Sequence, residues 1–294
     1  MSKESVIISP NKLTFNLMLH FSYNAFCLGA LIFLAISLGN FIYVWLCKMW
    51  KVKITEFSIF LNPYFSLLKK EINGTIYQLG WLPIGAYIKP LGMLKEDLGS
   101  IAIEELPFSL LNKSRTKQLV FRLIPSLVWL FVLLLSLCTL KGPGNILQTT
   151  AEMLNYILVA IKTMFGLSAA NELVMRTNNM LIDKSIISFA LTLLISMFLV
   201  LTSLSKIMSI YSRDGKNINW LIKLPGFIIT IFGVYLTCWK IPTFVFSFFS
   251  FRQNVSYILS FTLGLYLIGS LVFILAMILV KLKTSKLASV TDRR

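Results

Sequence analysis

The chain has 294 residues, of which 56% are hydrophobic and 14% charged, with a formal net charge of +16. A soluble domain carries about a quarter charged residues, so this composition excludes an ordinary soluble globular protein. The basic excess does not imply nucleic acid either: no nucleic-acid-binding motif accompanies it, and long apolar runs call for flanking Lys and Arg on the cytoplasmic side of a membrane.

From the N-terminus, Met1 to Lys12 is polar and short, and the single histidine, His20, precedes the first apolar run. That run is long and no small-residue cleavage site follows it, so it reads as a retained span within which segment 1–20 is only a lead-in. Apolar stretches predict about five transmembrane helices, over residues 21–45, 119–140, 185–204, 221–239 and 257–280. The fold class expected is therefore a membrane all-α protein with a small cytoplasmic β-hairpin layer.

The β layer is read between the first two spans. Val52 to Phe60 is rich in β-branched and aromatic residues and reads as a strand. Asn73-Gly74 signals a tight turn, and Thr75 to Leu79 reads as the returning strand. Pro83, Gly85 and Pro90 then punctuate what reads as a loop apolar enough to touch the membrane. Residues 146–167 place Ile146, Met153, Leu154, Ile157, Leu158, Ile161, Met164 and Phe165 near a helical period, with Glu152, Asn155 and Lys162 elsewhere. They predict an amphipathic helix in the outer interface, or alternatively a shallow sixth span. Residues 216–281 hold an additional pair of spans, and 282–294 read as a polar, mobile cytoplasmic tail.

Orientation follows from the basic residues. With the N-terminus outside, segments 48–122, 206–223 and 281–294 are cytoplasmic and hold twenty Lys and Arg, against eight outside. N-outside and C-cytoplasmic is thus expected. Richness in Ile, Lys, Asn and Phe points to a bacterial chain, and so to the bacterial inner membrane. Cys27, Cys47, Cys138 and Cys238 have no C-x-x-C spacing and read as helix-packing residues.

Residues Leu79 to Pro90 read Leu-Gly-Trp-Leu-Pro-Ile-Gly-Ala-Tyr-Ile-Lys-Pro. This resembles the membrane-edge hairpin of the site-2 proteases, zinc proteases that cut within the bilayer. Lys51 to Ile59 is similar to the strand after that family's first catalytic helix. Phe108 to Ser114 with Arg122 to Pro125 resembles the approach to its second span. Ser205 to Gly215, ending Arg213-Asp214-Gly215, resembles its third motif. The resemblance implies a site-2-protease-like membrane core over 21–215. The connection between the second and third spans is too short for the PDZ insertion some members carry.

The catalyst implied by that family is missing. Its zinc needs two histidines and a carboxylate, from H-E-x-x-H and a distant acid. Counting back from Phe57-Ser58-Ile59 without gaps puts Gly39 and Tyr43 in the histidine positions and Asn40 in place of the glutamate; a shifted register over Ile36 to Asn40 fails equally. Asp214 matches the third ligand, or else caps the end of its span or contacts a partner. Asn40 and Tyr43, one turn apart, form a polar notch or pack as ordinary helix residues. The resemblance therefore implies no catalytic residue, no metal and no cofactor. It leaves Gly80, Pro83, Gly85, Tyr87 and Lys89 of the hairpin as partner-binding candidates. No P-loop, Ser-His pair or G-x-S-x-G suggests other chemistry. The expected function is a pseudoprotease: a scaffold, assembly or regulatory subunit that binds other membrane proteins in a stable complex within membrane lipid. The alternative is an accessory subunit of a transporter or secretion complex.

Overall fold

The structure is a computed structural model that describes residues 21–93, 101–181, 186–213 and 220–291. His20 and Asp214 lie outside the described residues. The chain is mostly helical, in the order α1 (Tyr23–Met49), β1 (Ile54–Ile72), β2 (Thr75–Pro90), α2 (Arg115–Lys141), α3 (Ile146–Met164), α4 (Ala170–Leu181), α5 (Ile186–Arg213), α6 (Trp220–Tyr235), α7 (Ile241–Ser247) and α8 (Phe251–Thr291). Among the described residues four helical stretches are long and apolar enough to cross a membrane: Tyr23–Met49, Arg115–Lys141, Phe227–Ser247 and Phe251–Leu282.

Each span forms for a local reason. α1 is an apolar run without proline, and Ser22 caps it by accepting the Ala25 N–H at 3.4 Å. α2 ends where Gly142 adopts φ 84°, a conformation that stops the helix with no Cβ penalty. The fourth expected span, 221–239, is displaced to Phe227–Ser247. A π-turn over Leu236–Lys240 joins α6 to α7 and leaves Pro242 in the first turn of α7, where its missing N–H breaks no bond. The third expected span, 185–204, falls on α5, whose residues 186–199 form a further apolar helical stretch. α8 continues as a helix through Thr291, into the segment read as a polar tail.

Contacts fix the helix directions. The Ser22 N–H donates to Ser260 Oγ at 2.9 Å, so α1 and α8 start at the same end and run together. They approach closely: a Cβ on Gly29 would lie 2.2 Å from the Phe261 carbonyl oxygen, and one on Gly264 2.2 Å from that of Phe26. Small residues allow this backbone-to-backbone contact between helices in lipid. α2 and α5 run oppositely, tied by Ser136 Oγ and Thr192 Oγ1 at 2.6 Å and by Trp129 stacked on Phe198 at 5.3 Å. At the far end of α2, helix α3 buries Thr149, Met153, Tyr156 and Val159 against α2, α4 and α5, while Leu154 and Leu158 stay exposed. A helix was expected there, over 146–167. The helix α4 that follows was not anticipated.

The sheet is small and its two strands pair antiparallel. Ile54 to Ile59 lies against Ala86 to Pro90, and Ser66 to Ile72 against Thr75 to Gly80. Glu56 to Ile59 also runs beside Ile76 to Leu79, so the first half of β1 sits between the two halves of β2. That central half buries Ser58, Ile59 and Phe60, whereas the edge half, with Lys69, Lys70 and Glu71, is exposed. Charged edges deter pairing with other chains. The turn is Asn73-Gly74 at φ 53° and 70°, the left-handed pair that a two-residue hairpin demands.

Two readings are corrected here. β1 does not end at Phe60 but runs on to Ile72, and Pro83 to Pro90 is not a loop but the second half of β2. Proline is tolerated there because that half lies at the margin of the sheet, where a missing N–H breaks no ladder bond.

Phe60 joins sheet to helices. Its φ is 65°, an uncommon value for a bulky residue. At this irregularity in the register its ring turns toward the bundle, fully buried between Phe33 at 5.3 Å and Tyr266 at 4.8 Å. It lies so close over Gly269 that a Cβ there would come 2.1 Å from the ring. The Tyr266 hydroxyl donates to the Trp81 carbonyl and pins β2 to the same helix.

Candidate functional site

One face of α1 faces a cavity. Ile32, Ala35, Ile36, Gly39, Asn40 and Tyr43 recur at helical spacing and line a space of about 420 Å³. Pro83, Gly85 and Ala86 of β2 close a second side, and Pro125, Val128 and Trp129 of α2 a third. Phe198 of α5 with Phe261 and Leu265 of α8 complete it. Space exists here because side chains are small or missing where helices and strand meet. A Cβ on Gly39 would meet only Val128 Cγ2, at 3.9 Å, and one on Gly85 nothing within 4 Å. Gly85 adopts φ 72°, so the strand bends at the cavity wall without steric cost. Pro125 lacks the N–H that would bond the carbonyl one turn earlier, and its ring adds an apolar patch.

The polar groups are few. Among the described residues nothing hydrogen-bonds the Asn40 amide, which leaves it available inside an apolar wall. Tyr43 packs its ring on Phe121 at 4.3 Å. An amide and a phenol against hydrocarbon can bind and orient a polypeptide or lipid, because a polar group out of water gains from any partner it finds.

Of the residues singled out in the sequence, Gly39, Asn40, Tyr43, Pro83 and Gly85 come together here. Gly80, Tyr87 and Lys89 do not. Gly80 is buried against β1, where a Cβ would fall 2.3 Å from the Leu61 carbonyl oxygen. The Tyr87 hydroxyl donates to Glu56 and accepts from Gln78 Nε2 at 3.0 Å. Burial, and then the adjacent Glu56 carboxylate, pushes the Tyr87 phenol up to about 12. Gln78 Oε1 in turn accepts from Asn62 at 2.9 Å and Ser66 at 3.2 Å, so the tyrosine belongs to a network that stiffens the sheet. Lys89 contributes its carbonyl, which accepts from Thr55 Oγ1 at 2.9 Å. Trp129, Phe198, Phe261 and Leu265 were not anticipated. Only contacts between distant parts of the chain bring them to the cavity.

The residues do not fit a catalytic zinc. Gly39 offers no ligand atom, Asn40 a neutral amide that cannot take a proton from water, and Tyr43 a phenol. Among the described residues no group of three His, Cys, Asp or Glu side chains is gathered. None of the four cysteines is in a disulfide, and Cys47 is buried among Leu46, Phe121 and Ile124 and is not in the cavity wall. A scan against models of known protein families found no match, and no curated protein matches the chain. Length and composition of its helices define a multi-pass membrane protein.

Proposed function

We propose that the protein is a non-catalytic, site-2-protease-like membrane protein that holds a segment of another membrane protein without cutting it, as a scaffold, assembly or regulatory subunit of a larger complex. The observation that carries this reading is the convergence of Gly39, Asn40 and Tyr43 with Pro83 and Gly85 around one apolar cavity. These are the positions at which the resembling family keeps its catalyst and its hairpin. The cavity walls present hydrocarbon and one available amide, which suits binding. The sequence offers one histidine and no H-E-x-x-H, which does not suit hydrolysis. The protein sits in the bacterial inner membrane with its N-terminus outside and the sheet on the cytoplasmic side, as the distribution of basic residues favours.

The test uses purified full-length protein in liposomes with a membrane-spanning peptide labelled at both ends. Expected is an intact peptide at all times, with or without a metal chelator. Product release that a chelator stops would sink the reading.

A further inference from the structure

A second groove lies between the edge half of β1 and the second half of α8. It holds about 640 Å³ and has walls of two kinds. Phe273, Ile274, Met277 and Ile278 form an apolar stripe along α8, with Leu68 and Ile72 opposite on β1. Lys69 and Lys70 from the strand and Lys281 from the helix form a basic rim. Among the described residues that line the groove none is acidic; Glu71 lies between Lys70 and Ile72 in the chain but is not in the wall.

The order of these residues along α8 matters. Phe273 to Ile278 belong to the span Phe251–Leu282, and Lys281 stands at its end. The rise of a helix puts Lys281 about 12 Å beyond Phe273. The groove thus passes from apolar side chains to three ammonium groups over roughly the distance from acyl chain to headgroup. Ile274 and Ile278 are exposed within the chain, so the stripe is available to a ligand.

We infer that this groove is a specific site for an anionic phospholipid. One acyl chain lies along the α8 stripe, and the headgroup phosphate sits among Lys69, Lys70 and Lys281. Basic pockets at the end of membrane helices bind such headgroups, and each lysine near the surface adds about fivefold to the preference for anionic lipid. A zwitterionic lipid fits the stripe equally well but brings no net charge to the rim. The site depends on none of the residues of the α1 cavity.

The test is native mass spectrometry of the full-length protein in neutral detergent, titrated with dioleoyl phosphatidylglycerol or dioleoyl phosphatidylcholine. Expected is a phosphatidylglycerol adduct at a concentration at least tenfold lower than for phosphatidylcholine. The Lys69→Gln/Lys70→Gln/Lys281→Gln variant should lose that preference. The Lys113→Gln/Arg115→Gln/Lys117→Gln variant, with the same change in net charge elsewhere, should keep it. Equal retention of the two lipids by the parent overturns the assignment. So does an unchanged preference in the first variant, or its loss in the second. Inorganic phosphate at millimolar concentration should leave the adduct in place; displacement would mean that the acyl stripe plays no part and would also overturn it.

Discussion

Gly29 and Gly39 occupy the same helix in opposite surroundings. At Gly29 the α8 backbone comes so near that any side chain would collide with the Phe261 carbonyl. At Gly39 the helix opens onto the cavity and a Cβ would meet one methyl group at ordinary contact distance. The first glycine joins two helices, and the second leaves room for something else. β2 shows the same division. Its Trp81 carbonyl is tied to Tyr266, while Pro83, Gly85 and Ala86 a few residues on line empty space. A cavity persists beside a tight contact because the tight contact holds its walls apart. Close-packed interiors do not collapse into a gap unless the surrounding elements can move.

This division can be broken or sharpened by mutation. The largest effect is expected on the packed side. Phe60→Ala removes the ring held between Phe33 and Tyr266 and should cost about 3–5 kcal/mol, read as a lower midpoint in denaturing-detergent unfolding. A loss under about 1 kcal/mol would mean that Phe60 does not anchor the sheet. Gly29→Leu should cost about 1–3 kcal/mol or prevent assembly of α1 with α8, whereas Gly39→Leu, whose side chain enters the cavity, should stay within about 1 kcal/mol of the parent. Similar losses for both would erase the distinction between the two faces. Tyr87→Phe removes the hydroxyl bonded to Glu56 and should cost about 1–2 kcal/mol of stability with no effect on cavity binding, since that side chain belongs to the sheet.

The smallest effect tests the far end of the bundle. The hydrogen bond from Lys141 holds the Glu152 carboxyl below the ordinary carboxylate range. A lowered folded-state value stabilises the fold at pH above the ordinary range, and that contribution disappears as pH falls through the folded value. The melting temperature of the parent should therefore fall more than that of Glu152→Gln between about pH 6 and about pH 3. Parallel curves would show that the pair contributes nothing there, as exposed pairs often do.

Most of the helical plan was legible because bilayer thickness imposes an apolar run that composition alone betrays. Proline and glycine misled in one place, and one span boundary was misplaced. Pro83, Gly85 and Pro90 marked a loop by composition, yet the strand continues, since at the margin of a sheet those residues break no ladder bond. The fourth span was read to stop at residue 239, yet a π-turn carries the helix to Ser247. On the α1 wall Gly39, Asn40 and Tyr43 were singled out through the family resemblance, whereas Ile32 and Ala35 were not. The opposite walls were not legible, because Phe198, Phe261 and Leu265 reach the cavity only through packing between helices far apart in the chain. The left-handed Phe60 has no signal in the sequence; a bulky residue takes that conformation only when its surroundings outweigh the cost.

The most direct test of a holding, non-cutting cavity is a photo-cross-linking side chain placed at Asn40 in living cells, with Phe232 on the uncovered face of α6 as the comparison position. Expected is one full-length membrane polypeptide joined at position 40, absent at 232, and lost when Gly39→Leu fills the space. Adducts with lipid alone, the same adducts from both positions, or truncated fragments of the captured polypeptide would contradict it.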